Sequence, residues 1–126
     1  MSQLFIKNIV TQFDKLPIEL LDGEGYPTNE WLEFLKQYEP DESLPIMSFV
    51  KMVLKDGWYM PDWGFVLGRR YKGITKLSLH TGGWSGNEEI ISSIKSNIIL
   101  THFAMKYVMW RVGGHYYFEI PSKSTN

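Results

Sequence analysis

The sequence predicts an α+β domain: a mainly helical N-terminal half, then an antiparallel sheet of about four strands with one helix crossing it. Apolar residues recur at helical spacing as far as Gly57, with proline and glycine marking where each run stops. From Gly64 onward, short alternating β-branched and aromatic segments are separated by glycine-rich turns. The formal charge changes sign at the same place. Residues 1–63 carry eleven acids and five lysines (−6), and residues 64–126 carry eight bases and three acids (+5), inside a net charge of −1. At 126 residues, 44% of them hydrophobic, the chain makes one domain spanning 1–126 with a core of its own.

Taken in order, Leu4, Phe5, Ile9, Val10 and Phe13 trace one face of a helix over Ser2 to Leu16, which Pro17 ends. A turn-rich stretch, Asp22 to Pro27, leads to Thr28-Asn29, an N-cap for a second helix carrying Trp31, Leu32, Phe34, Leu35 and Tyr38 and closed by Pro40. A third helix of about ten residues starts near Pro45 and carries Ile46, Phe49, Val50, Val53 and Leu54 to Asp56-Gly57. The six residues Trp58 to Trp63 are too irregular for a helix. They read either as a core plug or as aromatic anchors for a partner. Gly64 to Leu67 and Ile74 to His80 read as a hairpin around Gly68 to Gly73, with Thr75, Leu77 and Leu79 on the apolar face.

A fourth helix follows the loop Thr81-Gly82-Gly83-Trp84. Ser85 or Asn87 caps it, Glu88 and Glu89 complement its dipole, Ile90, Ile91, Ile94 and Ile98 line one face, and Ser96-Asn97 breaks it. Ile99 to Val112 reads as the first arm of a hairpin turning at Gly113-Gly114. A two-residue turn there pairs Arg111 with Tyr116, Met109 with Phe118 and Tyr107 with Ile120 on the core side. The same parity gathers His80, His102 and His115 on the opposite face.

Composition excludes much chemistry. No cysteine means no disulfide, thiol nucleophile or thiolate metal site. No apolar run is long enough to span a membrane and no leader pattern opens the chain, so a soluble cytoplasmic protein without membrane contact is expected. Arg69, Arg70, Lys72 and Lys76 form no extended basic stripe, which argues against a nucleic-acid partner.

The glycine-rich loop is the most unusual local feature, since Gly82, Gly83 and Gly86 permit backbone conformations closed to other residues. It suits a small ligand or anion, but Glu88 and Glu89 oppose negative charge and no lysine follows as in a P-loop. Gly83-Trp84-Ser85-Gly86-Asn87 approaches a nucleophile elbow, with Asn87 where the last glycine belongs. His102 or His115 would then have to serve as base and Glu119 as its orienting acid. A metal site from His80, His102, His115 and Glu119 or Glu88 has suitable donors but no tight spacing.

His80 to Ile91 (His-Thr-Gly-Gly-Trp-Ser-Gly-Asn-Glu-Glu-Ile-Ile) and Arg111 to Pro121 (Arg-Val-Gly-Gly-His-Tyr-Tyr-Phe-Glu-Ile-Pro) resemble small uncharacterised proteins encoded in bacteriophage and prophage genomes. The resemblance covers roughly the last third of the chain and brings a genomic setting but no catalytic residues. It implies a small protein in the host cytoplasm that acts by binding, such as an inhibitor of a host or defence protein. The binding residues expected are Trp58, Trp63, His80, Trp84, Ser85, Asn87, Glu88 and His115, with no cofactor, no metal and no catalytic role assigned. The alternative is a small-ligand, anion-binding or hydrolytic site at loop 81–88. Self-association through an aromatic sheet face is a further expectation.

Overall fold

The computed structural model describes residues 19–122 and has the α+β architecture. The first expected helix, Ser2 to Leu16, lies outside the described residues. The chain enters through an Asx turn in which Asp22 accepts from the N–H groups of Glu24 and Tyr26 at 2.8 and 3.0 Å. Helix α1 (Asn29–Gln37) starts where Thr28 Oγ1 accepts the Trp31 N–H at 3.1 Å, the expected cap. It buries Trp31, Phe34 and Leu35, and Tyr38 follows beneath them. The Tyr38 hydroxyl donates to Leu44 O at 2.7 Å, and burial, assisted by the charge on Asp41, pushes its pKa up.

Helix α2 (Ile46–Ser48) runs directly into a π-helical segment, Phe49–Leu54. The sequence predicts one ordinary helix here; the winding is looser, but Phe49, Val50, Val53 and Leu54 still share the buried side. Gly57 then lets the chain pass under Trp31, whose indole donates to Gly57 O at 3.1 Å. A Cβ on Gly57 would come within 2.4 Å of that ring. Trp58 is the core plug, 1% exposed. A single helical turn, α3 (Pro61–Gly64), leads to the sheet.

Strands β1 (Phe65–Leu67), β2 (Ile74–His80), β3 (Lys106–Arg111) and β4 (His115–Pro121) form an antiparallel sheet in the order β1-β2-β4-β3. Thr75, Leu77 and Leu79 of β2 and Phe118 and Ile120 of β4 point into the core, as their alternation predicts. Helix α4 (Ser85–Ser96) covers this face and packs against α1. Buried Asn97 joins the two: its amide donates to Leu35 O and Tyr38 O at 2.9 and 2.8 Å and its oxygen accepts from Leu100 N–H at 3.0 Å.

The last hairpin differs from expectation. Leu100–Ala104 is a π-helical segment, so the arm expected over Ile99 to Val112 is a strand only from Lys106. The turn holds three residues, Val112 to Gly114, because Arg111 pairs with His115. Trp110 therefore opposes Tyr116, Met109 opposes Tyr117, and a bulge at Val108 restores Tyr107 to the core side opposite Phe118. Arg111 and Met109 consequently leave the core face, and His102, placed on the π-helical segment, does not join the sheet histidines. Gly113 and Gly114 both have positive φ (104° and 82°), a backbone that glycine adopts freely.

Candidate functional site

The loop after β2 is shaped by two glycines with left-handed backbone, Gly82 (φ 64°) and Gly83 (φ 77°), so the chain reverses sharply before α4. Thr81 anchors it: its N–H donates to Gly114 O at 2.9 Å and its hydroxyl to Glu88 Oε2 at 2.6 Å. Glu88 also accepts from the Tyr116 hydroxyl at 3.2 Å. Burial first, and the Glu88 charge second, raise the pKa of that phenol.

Across the loop stands the segment around α3. Asn87, 2% exposed in the first turn of α4, accepts from the Tyr59 N–H at 3.1 Å and donates to Tyr59 O at 3.0 Å, clamping both backbone groups of one residue. Met60 follows in left-handed conformation (φ 60°, ψ 57°), a strained state for a non-glycine residue that the clamp and the start of α3 hold in place. Trp84 is wedged between Tyr26 and Tyr59, with ring centroids 4.6 and 4.7 Å away, and its indole donates to Gly25 O at 3.3 Å. Gly25 and Gly86 are there for room: a Cβ would come within 2.5 Å of the Tyr59 ring in the first case and 2.9 Å of Trp84 Nε1 in the second.

Between these walls lies an open cleft of about 320 Å³ lined by Tyr59, Met60, Trp63, Thr81, Gly82, Gly83, Trp84 and Asn87. Trp63 is 59% exposed and Met60 58% exposed at its rim, and the Trp63 ring lies so close over Gly82 that a Cβ there would sit 3.0 Å from it. The lining is mostly aromatic and apolar, with the Thr81 and Asn87 polar groups already engaged.

No protein-family model, curated protein or solved structure matches the chain.

The residues expected to bind fall into three places. Trp63, Trp84 and Asn87 line the cleft. Glu88 lies behind it, occupied by Thr81 and Tyr116. His80 and His115 sit opposite each other on the outer sheet face, Nδ1 to Nδ1 at 2.8 Å, and Trp63 meets His80 edge-on with centroids 6.3 Å apart. Burial and the neighbouring His115 lower the pKa of His80. Trp58 presents no surface to a partner, because its ring fills the core. Ser85 is exposed at the first position of α4, where Trp84 holds the cap position without a side-chain bond, so neither Ser85 nor Asn87 is the cap. Asn87 turns away to Tyr59 instead.

The three-histidine metal site does not form: His102 is exposed and bonds Ile98 O, and among the described residues no group of three or more histidines and carboxylates could hold an ion. Tyr59 and Met60 belong to the site but were legible only as neighbours of the two flagged tryptophans. Tyr26 carried no signal, since its role comes from contact with Trp84 far along the chain.

Proposed function

We propose that the protein acts by binding a protein partner, with the Met60–Trp63–Trp84 cleft as its docking point. The carrying observation is a tryptophan more than half exposed at the mouth of a cleft whose walls are locked by the Asn87 clamp and the Tyr26–Trp84–Tyr59 stack. A large aromatic held on a rigid frame loses little freedom on association, which is how a few residues come to carry most of an interface's affinity. The resemblance of segments 80–91 and 111–121 to phage and prophage proteins supports a host or defence protein as that partner, met in the host cytoplasm. The −6 and +5 halves would orient the encounter.

One variant separates this reading from a purely structural role. Trp63→Ala should leave the thermal midpoint almost unchanged, because the ring is exposed, and should lower affinity for the protein captured from host lysate by about 2 kcal/mol. Equal retention of that protein by wild type and variant, measured by calorimetry on the purified pair, overturns the reading. Trp84→Ala is the poorer probe, since its ring is stacked on two sides and its loss destabilises the fold itself.

A second reading has the same cleft taking a small uncharged or aromatic molecule, favoured by a volume at the lower end of ligand pockets. Glu88 in the first turn of α4 counts against an anion there. Against a hydrolytic role, His80 and His115 are bonded to each other, His102 bonds Ile98 O on the π-helical segment, and Ser85 faces solvent. A rise in thermal midpoint with a neutral aromatic ligand, abolished by Trp63→Ala, would favour this second reading over the first.

A further inference from the structure

We propose that His80 and His115 form a two-imidazole site for a divalent transition ion that favours nitrogen ligands, Cu²⁺ or Ni²⁺, with water completing the coordination. The two residues occupy directly opposed positions on β2 and β4, central neighbours in the sheet, so the antiparallel ladder fixes their backbones. Their side chains emerge on the outer face, where the Nδ1 atoms approach to 2.8 Å and the ring centroids to 5.0 Å. Nothing about core packing requires two imidazoles to meet there, since the buried residues of β2 and β4 point to the other face.

With both rings neutral, the contact holds one proton between the two Nδ1 atoms. An ion takes both Nδ1 lone pairs, and the ring that held the proton on Nδ1 carries it on Nε2 instead, exchanged through solvent, so no net charge is released. The rotation that turns both lone pairs to one ion is about χ2, a broad and soft torsion in histidine. His115 has space for the Nε2 proton because its neighbour in the turn is Gly113; a Cβ there would come within 3.1 Å of that nitrogen.

The nitrogen spacing also selects among ions. With metal–nitrogen bonds of about 2.0 Å, nitrogens 2.8 Å apart subtend roughly a right angle, the cis arrangement of tetragonal Cu²⁺ or Ni²⁺, whereas a tetrahedral ion wants them about 3.3 Å apart. The donor types point the same way. Arg111 is the cross-strand partner of His115 on its other side, the aromatic neighbours of His80 are Trp63 and Tyr117, and among the described residues no group of three or more histidines and carboxylates gathers here for a hard cation. Mg²⁺ and Ca²⁺ need several oxygen donors, and among the described residues no such cluster stands here.

The test is calorimetric titration of the full chain with CuCl₂, NiCl₂ and MgCl₂, together with electron paramagnetic resonance of the Cu²⁺ form. One ion per chain, a tetragonal signal with splitting from two nitrogens and no heat with MgCl₂ are expected. His80→Gln or His115→Gln should weaken the ion by about tenfold or more, while His102→Gln leaves it unchanged. Absence of binding, undiminished binding by the His80→Gln/His115→Gln double variant, or a wild-type signal from a single nitrogen overturns the proposal. The wild-type spectrum decides the matter even if a histidine variant does not fold.

Discussion

Asn87 holds the candidate site together at a single side chain. With both amide groups bonded to the backbone of Tyr59, it fixes the residue that carries one wall of the cleft and leads into the strained Met60. Asn87→Ala would leave the Tyr59 N–H and carbonyl without these partners and should cost about 1–3 kcal/mol in urea unfolding. It should also loosen the Trp63 rim, read as increased fluorescence quenching by acrylamide. His80 gives a second test of this kind. Its folded pKa lies below its ordinary 6.5, so the unfolded chain takes up the proton first. Its contribution to stability is complete above the unfolded pKa and is lost as pH falls below it. The thermal midpoint should therefore drop on acidification from pH 7, and His80→Gln should flatten that drop while His102→Gln does not.

The turn between β3 and β4 shows how one element places the loop after β2. Gly114 combines positive φ with a close approach: a Cβ would lie 2.1 Å from Thr81 Oγ1, and its carbonyl receives the Thr81 N–H. Gly83 shares the backbone conformation but has nothing near its missing Cβ. Gly83→Ala should cost about 1 kcal/mol from conformation alone, and Gly114→Ala distinctly more, because the contact adds to the strain. Equal losses in chemical denaturation would show that the packing of the turn on Thr81 does not matter. Helices α1 and α4 are joined in a similar way by Asn97, so Asn97→Ala should destabilise by about 2–3 kcal/mol through three unmet backbone groups. The apolar alternation and capping residues announced most of these elements. Thr28 and the β1–β2 pairing are as the residues imply, because capping and alternation are local properties. The bulge at Val108 and the π-helical stretches were not announced, since each accommodates packing against a distant partner.

For the molecule as a whole, the contrast between Trp63 and Trp84 is the decisive experiment. Trp84→Ala should lower stability by about 2–3 kcal/mol, and Trp63→Ala by no more than about 0.5 kcal/mol, as chemical unfolding will measure. Among the described residues no helix is long and apolar enough to cross a membrane. Exposed Val108, Met109, Trp110 and Val112 on the edge hairpin make self-association worth reading by light scattering alongside partner binding. The sequence by itself determined the α+β class, the helical and sheet halves with their opposite charges, and the inward faces of α1, β2 and β4, because periodicity and composition are written along the chain. Tertiary structure alone decided that Trp58 is core while Trp63 is surface, that Trp84 is held between Tyr26 and Tyr59, and that two of three histidines meet. Each of these depends on which residues distant in sequence come into contact, and no local pattern carries that information.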